Sequence, residues 1–134
     1  MRKGASLEKA VNKLFKHYRQ KGAFCQQCNP RTLSDGTVVG KHGFDFFVFH
    51  ANVLSAFDAK ECQGSRWNLS NAKTHQVDAL LSISKNGGDG FFMVWFLKEK
   101  KLIKYTAEYI LNCNKKSLAP SDGTQIKLDF LGVL

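Results

Sequence analysis

Apolar positions change period several times along the chain, and each change predicts an element. Between residues 6 and 21, Leu7, Ala10, Val11, Leu14, Phe15 and Tyr18 recur at helical spacing, with Lys9, Lys13, Lys16 and Arg19 elsewhere. This predicts an amphipathic helix capped by Ser6 and ended by Gly22. Residues 23–27 read as a short strand, and 29–40, with Pro30, Ser34, Asp35, Gly36 and Gly40, as a loop. Phe44, Phe46, Phe47 and Val48 suit a buried strand, and Val53, Leu54, Ala56 and Phe57 a second, separated from the first by His50, Ala51 and Asn52. Residues 63–68 are polar and turn-rich. A helix follows over about 72–85, with Val77, Leu80, Leu81 and Ser84 inward, stopped by Asn86-Gly87-Gly88. The unbroken apolar run 91–97 predicts the centre of a sheet, with 102–105 beside it through the turn at 99–101. Residues 106–112 read as a short helix, and Ile126, Leu128 and Phe130 alternate with polar residues as a last strand. The order predicts an α/β fold: one domain over residues 1–134, with a central mixed β-sheet flanked by helices.

Three charges break this pattern. Asp45 interrupts the first buried strand, and Asp58 and Lys60 extend the second. A charge in a nearly buried strand costs free energy unless it is paired or binds a metal. Side chains alternate along a strand, so Asp58 and Lys60 share one face, with Ala59 and Glu61 on the other. If the two strands form a hairpin, Asp45 approaches the face of Asp58. Two converging carboxylates repel unless a divalent cation lies between them, and oxygen ligands favour Mg²⁺ or Mn²⁺. The alternative is an exposed strand edge with one salt bridge. Glu8 lies at the margin of the first helix's apolar face, either reaching a site at the sheet edge or serving as a dipole-favoured acid at the helix start. Gln76, near the start of the second long helix, reads as a partner for Lys60 or a bound water, or as a polar helix margin.

The 20 Lys and Arg against 11 Asp and Glu leave a formal charge of +9, which points to a polyanionic partner, nucleic acid first. Arg31 and Lys41, with His42 beside them, are candidate phosphate contacts in a basic loop. Arg66 and Trp67 are candidates for backbone contact and base stacking, and Lys115-Lys116 for a basic spot. Each has an ordinary alternative as solvated loop, core ring or surface lysine. No apolar run is long enough to span a bilayer, and Met1-Arg2-Lys3 leads into no apolar segment, so a cytoplasmic protein is expected. Cys25, Cys28, Cys62 and Cys113 are irregularly spaced; reduced, incidental thiols fit better than half a zinc site.

Asp45 followed by Asp58-Ala59-Lys60 on adjoining strands resembles the PD-(D/E)xK nuclease superfamily. The likeness extends to RecU-type Holliday junction resolvases and, more distantly, to the archaeal Hjc resolvases. It rests on Gly4-Ala5-Ser6-Leu7-Glu8 opening a helix, Asp45, Asp58-Ala59-Lys60-Glu61, His75-Gln76 opening the next helix, and Lys115-Lys116-Ser117-Leu118. The resemblance implies a restriction-endonuclease-like nuclease core. It implies Mg²⁺, with Mn²⁺ as a substitute, held by Asp45 and Asp58 with help from the Ala59 carbonyl. Lys60 and Gln76 would position the nucleophile, and Glu8 would be the accessory acid. It also implies a homodimer, with no small-molecule cofactor, cutting symmetric strands of four-way DNA junctions in recombination and repair. The cell would be bacterial, archaeal or phage-infected. The chain departs from RecU proteins where they carry a long stalk before the first acid, since it offers only residues 29–42 there. A duplex-cutting nuclease of the same superfamily and a non-catalytic basic DNA-binding module remain the alternatives.

Overall fold

The computed structural model describes residues 5–28, 31–39 and 43–134. Helix α1 (Ala5–Gln20) comes first, followed by β1 (Phe24–Gln27) and the two-residue strands β2 (Arg31–Thr32) and β3 (Val38–Val39), which pair with each other. Next come β4 (Phe46–His50), β5 (Val53–Cys62), β6 (Trp67–Asn68), a 3₁₀ turn (Leu69–Asn71) and α2 (Thr74–Lys85). Strands β7 (Asp89–Phe96) and β8 (Lys101–Thr106), helix α3 (Ala107–Asn112), β9 (Ser117–Leu118), a 3₁₀ turn (Pro120–Asp122) and β10 (Thr124–Gln125) complete the order.

Six strands form one sheet in the order β1-β4-β5-β7-β8-β10, with β5 and β7 parallel and the other neighbours antiparallel. The parallel pair needs a crossover, which runs through β6, the 3₁₀ turn and α2. Apolar β7 lies inside the sheet, as its unbroken hydrophobic run predicts, and Phe91, Phe92, Met93, Val94 and Phe96 are all fully buried. Helix α1 covers one face over Phe46, Val48, Phe57, Ala59, Phe91 and Met93. Helices α2 and α3 cover the other over Ala56, Phe92, Val94, Phe96 and Tyr105.

Strands β4 and β5 form the anticipated hairpin. Its two-residue loop places Ala51 at φ 51° and Asn52 at φ 66°, the left-handed pair that matches the twist of the flanking strands. At Gly43 a Cβ would collide with the Ala79 side chain, so this residue lets the chain pass α2 on its way to Asp45. Gly90 plays the same part for β7, where a Cβ would strike the Leu80 carbonyl.

Several sequence expectations change, among them the 29–40 loop, which holds β2 and β3. Helix α1 already includes Ala5, so Ser6 is not its N-cap; the Leu7 N–H instead donates to Glu61 Oε1 at 3.1 Å, a distant carboxylate satisfying one of the free donors of the first turn. The last strand is only Thr124–Gln125. Ile126, Leu128 and Phe130 do face the core beneath α1, but past the Ile126 N–H, which reaches the Leu102 carbonyl at 2.9 Å, the backbone leaves the sheet. Asp129 gathers this tail by accepting from Tyr18 Oη at 2.8 Å and from the N–H groups of Gly132, Val133 and Leu134. Alternation recorded which side is buried, not whether the backbone pairs. The 63–68 turn and the Lys115-Lys116 segment also yielded β6 and β9, a two-residue ribbon too short for periodicity to reveal.

Candidate active site

The β4–β5 register pairs Phe46 with Phe57, and one further step brings Asp45 across from Asp58. The Asp45 N–H donates to the Phe57 carbonyl at 3.2 Å, and its Oδ2 accepts from the Ala59 N–H at 3.2 Å. This pins the carboxylate to β5. Asp58 is 0% exposed, and neither of its carboxylate oxygens has a hydrogen-bond partner. Its Oδ2 touches Lys60 Nζ at 3.2 Å, an ion pair that lacks hydrogen-bond alignment. Burial, and then the charge of Asp45, push the Asp58 carboxyl from 3.8 up to about 7 against the opposing pull of Lys60. A structural aspartate is normally satisfied. This one has only the unaligned Lys60 contact, which makes it a candidate functional group.

A cleft of about 270 Å³ opens beside these residues, lined by Glu8, Asp45, Ala59, Lys60, Glu61, Trp67, Asn71 and Lys73. A larger apolar groove of about 400 Å³ lies under the start of α1 and shares Glu61, but it contains neither aspartate nor Lys60. The candidate site is therefore the smaller cleft, which Asp45 and Lys60 line, with Asp58 buried behind them. Glu8 reaches the cleft from α1 through a relay that sequence reading missed. Asn12 Nδ2 donates to Gln27 Oε1 at 2.8 Å, which turns the Gln27 amide nitrogen toward Glu8 Oε2 at a long 3.5 Å. The one available signal was Asn12 lying four residues after Glu8 on the same helix face. Asn71 and Lys73 were also missed, because they sit in a turn whose approach to the strands is purely tertiary.

Gln76 does not line the cleft. Its Oε1 instead accepts the Lys73 N–H at 3.1 Å, binding the start of α2 to itself rather than to Lys60. Trp67 is 2% exposed and stacks on Tyr105 with ring centroids 5.7 Å apart, so its ring is core and not an open platform for bases. Aromatic area was worth more to the β6–β9 corner than to solvent. Arg66 is exposed, with Nε on Ser117 Oγ and Nη2 on the Ser117 carbonyl, both at 2.8 Å. Lys115 and Lys116 are both exposed, and Lys115 pairs with Asp122 at 2.7 Å. Lys41 and His42 lie outside the described residues, as does the side chain of Arg31. All four cysteines are free; the Cys28 N–H donates to the Asp45 carbonyl, and burial and the Asp45 charge push its thiol up.

Among the described residues, no three His, Cys, Asp or Glu side chains form a ready metal cluster, so Glu8 does not complete a triad with the two aspartates. The donors nevertheless suit a hard divalent cation. The two facing carboxylates offer only oxygen, the buried Asp58 pair is unsatisfied, and the cleft leaves room for water and phosphate to complete a coordination shell.

The mixed sheet between helices, with two aspartates and a lysine on adjoining strands beside an open cleft, defines the nuclease-core class that the sequence suggested. The solved structure of Archaeoglobus fulgidus Hjc, a Holliday junction resolvase from an archaeal hyperthermophile, shares this fold with a TM-score of 0.56. It is 11% identical and covers 85% of this chain and 91% of its own. Residues 2–131 match the model of Recombination protein U, and the chain belongs to the RecU family. A curated relative, the Holliday junction resolvase RecU of Mycoplasmopsis pulmonis (strain UAB CTIP), is 28% identical over 140 residues, spanning 98% of this chain and 89% of the relative.

Proposed function

We propose that this protein is a Mg²⁺-dependent endodeoxyribonuclease that resolves four-way DNA junctions by paired, symmetric phosphodiester cleavage. The observation that carries the reading is Asp58, buried without a hydrogen-bond partner opposite Asp45 and against Lys60, in a RecU-family chain. Asp45, Asp58 and the Ala59 carbonyl are the groups that would hold the metal. When bound, Mg²⁺ supplies Lewis-acid activation of water and of the phosphate, and Mn²⁺ substitutes for it. Lys60, kept beside the cleft by its ion pair, offsets charge on the phosphate and orients the attacking water. Glu8, turned by Gln27 and Asn12, is the accessory acid. Water adds to phosphorus, the bond to the 3′ oxygen breaks, and that oxygen leaves as a hydroxyl. The +9 charge draws the polyanion in, with Arg66 and Lys116 presented at the surface and Arg31, Lys41 and Lys115 in support.

A four-way junction has approximate two-fold symmetry, so two copies of the chain match its two cleavable strands. A homodimer is therefore the working form. Among the described residues no helix is long and apolar enough to cross a membrane, and the bacterial relative supports action in the cytoplasm, where the DNA is. Labelled four-way junction and matched linear duplex, each incubated with Mg²⁺ or EDTA, test the reading. Paired nicks confined to the junction and absent in EDTA are expected. Equal cutting of duplex would replace it with a duplex nuclease, and intact binding without cutting by a binding module.

A further inference from the structure

Beyond the acids and Lys60, the cleft has a second wall made by the approach to α2, and Lys73 stands on it. This residue is the N-cap of α2, yet it makes no side-chain capping bond, and the first turn of the helix holds no acidic residue. A lysine here lacks the acceptor that a cap supplies, and its charge faces the positive end of the helix dipole. The choice works against local stability, which is expected where a residue serves a site. Its Nζ rests on the Ser70 carbonyl at 3.0 Å on exposed surface, leaving further donors free, and its backbone N–H is held by Gln76 Oε1 at 3.1 Å. That the same cleft takes a ligand is indicated separately by Asp58, buried behind the cleft-lining Lys60 with neither carboxylate oxygen hydrogen-bonded and only the ion pair to Lys60.

We infer that Lys73 grips a DNA phosphate next to the scissile one, and that Gln76 is a positioning residue that acts through Lys73. The inference rests on the nuclease reading above and extends it to a phosphate contact and to a role for Gln76 outside the chemistry. An ammonium is suited to this part because it binds a phosphate oxygen as a compact point charge and needs no planar match.

The test is binding of labelled four-way junction in EDTA from 50 to 200 mM salt, followed by single-turnover cleavage in Mg²⁺. Lys73→Ala is expected to weaken binding about 3- to 10-fold and to flatten the log-affinity against log-salt slope by about 0.9, the loss of one phosphate contact. Lys73→Arg is expected to keep both. Lys73→Ser supplies the missing cap, so its unfolding midpoint is expected to rise while its binding falls like that of the alanine variant. A merely structural lysine cannot produce that opposition. Gln76→Ala is expected to weaken binding in the wild-type background and to add nothing in Lys73→Ala. Unchanged affinity and slope in Lys73→Ala would overturn the phosphate contact. An equal loss of cleavage from Gln76→Ala in both backgrounds would overturn its positioning role. Wild type that neither binds nor cuts junctions would overturn the nuclease reading itself, a result distinct from either of these.

Discussion

Replacing Asp58 with asparagine should stabilise the metal-free protein, and the size of the gain follows from the site. Burial and Asp45 raise this carboxyl from 3.8 to about 7 in the folded state. The folded chain therefore binds the Asp58 proton more tightly than the unfolded chain does. The stability this proton confers is fully present below pH 3.8, declines as pH rises toward 7, and is gone above it. At 1.36 kcal/mol per pH unit, the ionised carboxylate costs on the order of 4 kcal/mol at pH 8, a large share of the 5–15 kcal/mol that holds a typical domain together. Asparagine keeps the shape and removes the charge. Urea unfolding in EDTA should give wild type and Asp58→Asn similar stabilities near pH 4. By pH 8 the variant should lead by about 2–4 kcal/mol, the lower figure allowing for a buried amide with few partners. Divalent metal should then raise the stability of wild type and leave the variant nearly unmoved. A difference that does not change with pH, or a variant less stable at pH 8, would refute the argument that Asp58 is an unsatisfied buried charge.

Other perturbations follow from the same geometry. Lys60→Met removes the cation that opposes the shift and should move the pH at which the Asp58 cost is complete above about 7, whereas Asp45→Asn should move it below; pH titration of unfolding free energy for each variant reads the shift. Trp67→Ala should cost about 3–5 kcal/mol of stability and Trp67→Phe far less, because the ring fills a core corner against Tyr105 and Phe92; loss of DNA binding by Trp67→Phe at unchanged stability would restore it as a base platform. Gly90→Ala drives a methyl into the Leu80 carbonyl and should dissolve the packing of α2 on β7, seen as loss of the cooperative thermal transition.

Much of this was legible because burial imposes a period. The α1 stripe, the β4–β5 pair and the unbroken β7 run each record which side faces the core, and Asp45, Asp58 and Lys60 stood out because charge does not belong there. Their convergence was conditional on a hairpin, and the register came only with the structure, where His50 belongs to β4 and the loop shortens to Ala51 and Asn52. What stayed hidden depends on tertiary approach. No local pattern says that Glu61 will take the Leu7 N–H, that Gln27 will aim at Glu8, or that Gln76 will turn back to Lys73. Trp67 could be read either way, because an aromatic in a polar turn serves a core and a nucleic-acid surface equally well until its neighbours are known. The tail at Ile126, Leu128 and Phe130 shows the converse limit. Alternation was present, yet past the Ile126 N–H, which still reaches the Leu102 carbonyl, the chain turns on itself through the Phe130 N–H to the Leu128 carbonyl, and Asp129 takes the N–H groups of residues 132–134.

The central claim is that Asp58, with Asp45 and Lys60, is the catalytic centre and not a structural charge cluster. Single-turnover cleavage of a four-way junction by wild type and Asp58→Asn, with junction affinity measured on the same preparations, tests it most directly. Loss of cleavage by the variant with equal or tighter binding is predicted, because the substitution removes a metal ligand and a negative charge that repels phosphate. Cleavage by Asp58→Asn at the wild-type rate, or loss of binding together with cleavage in a folded variant, would contradict it.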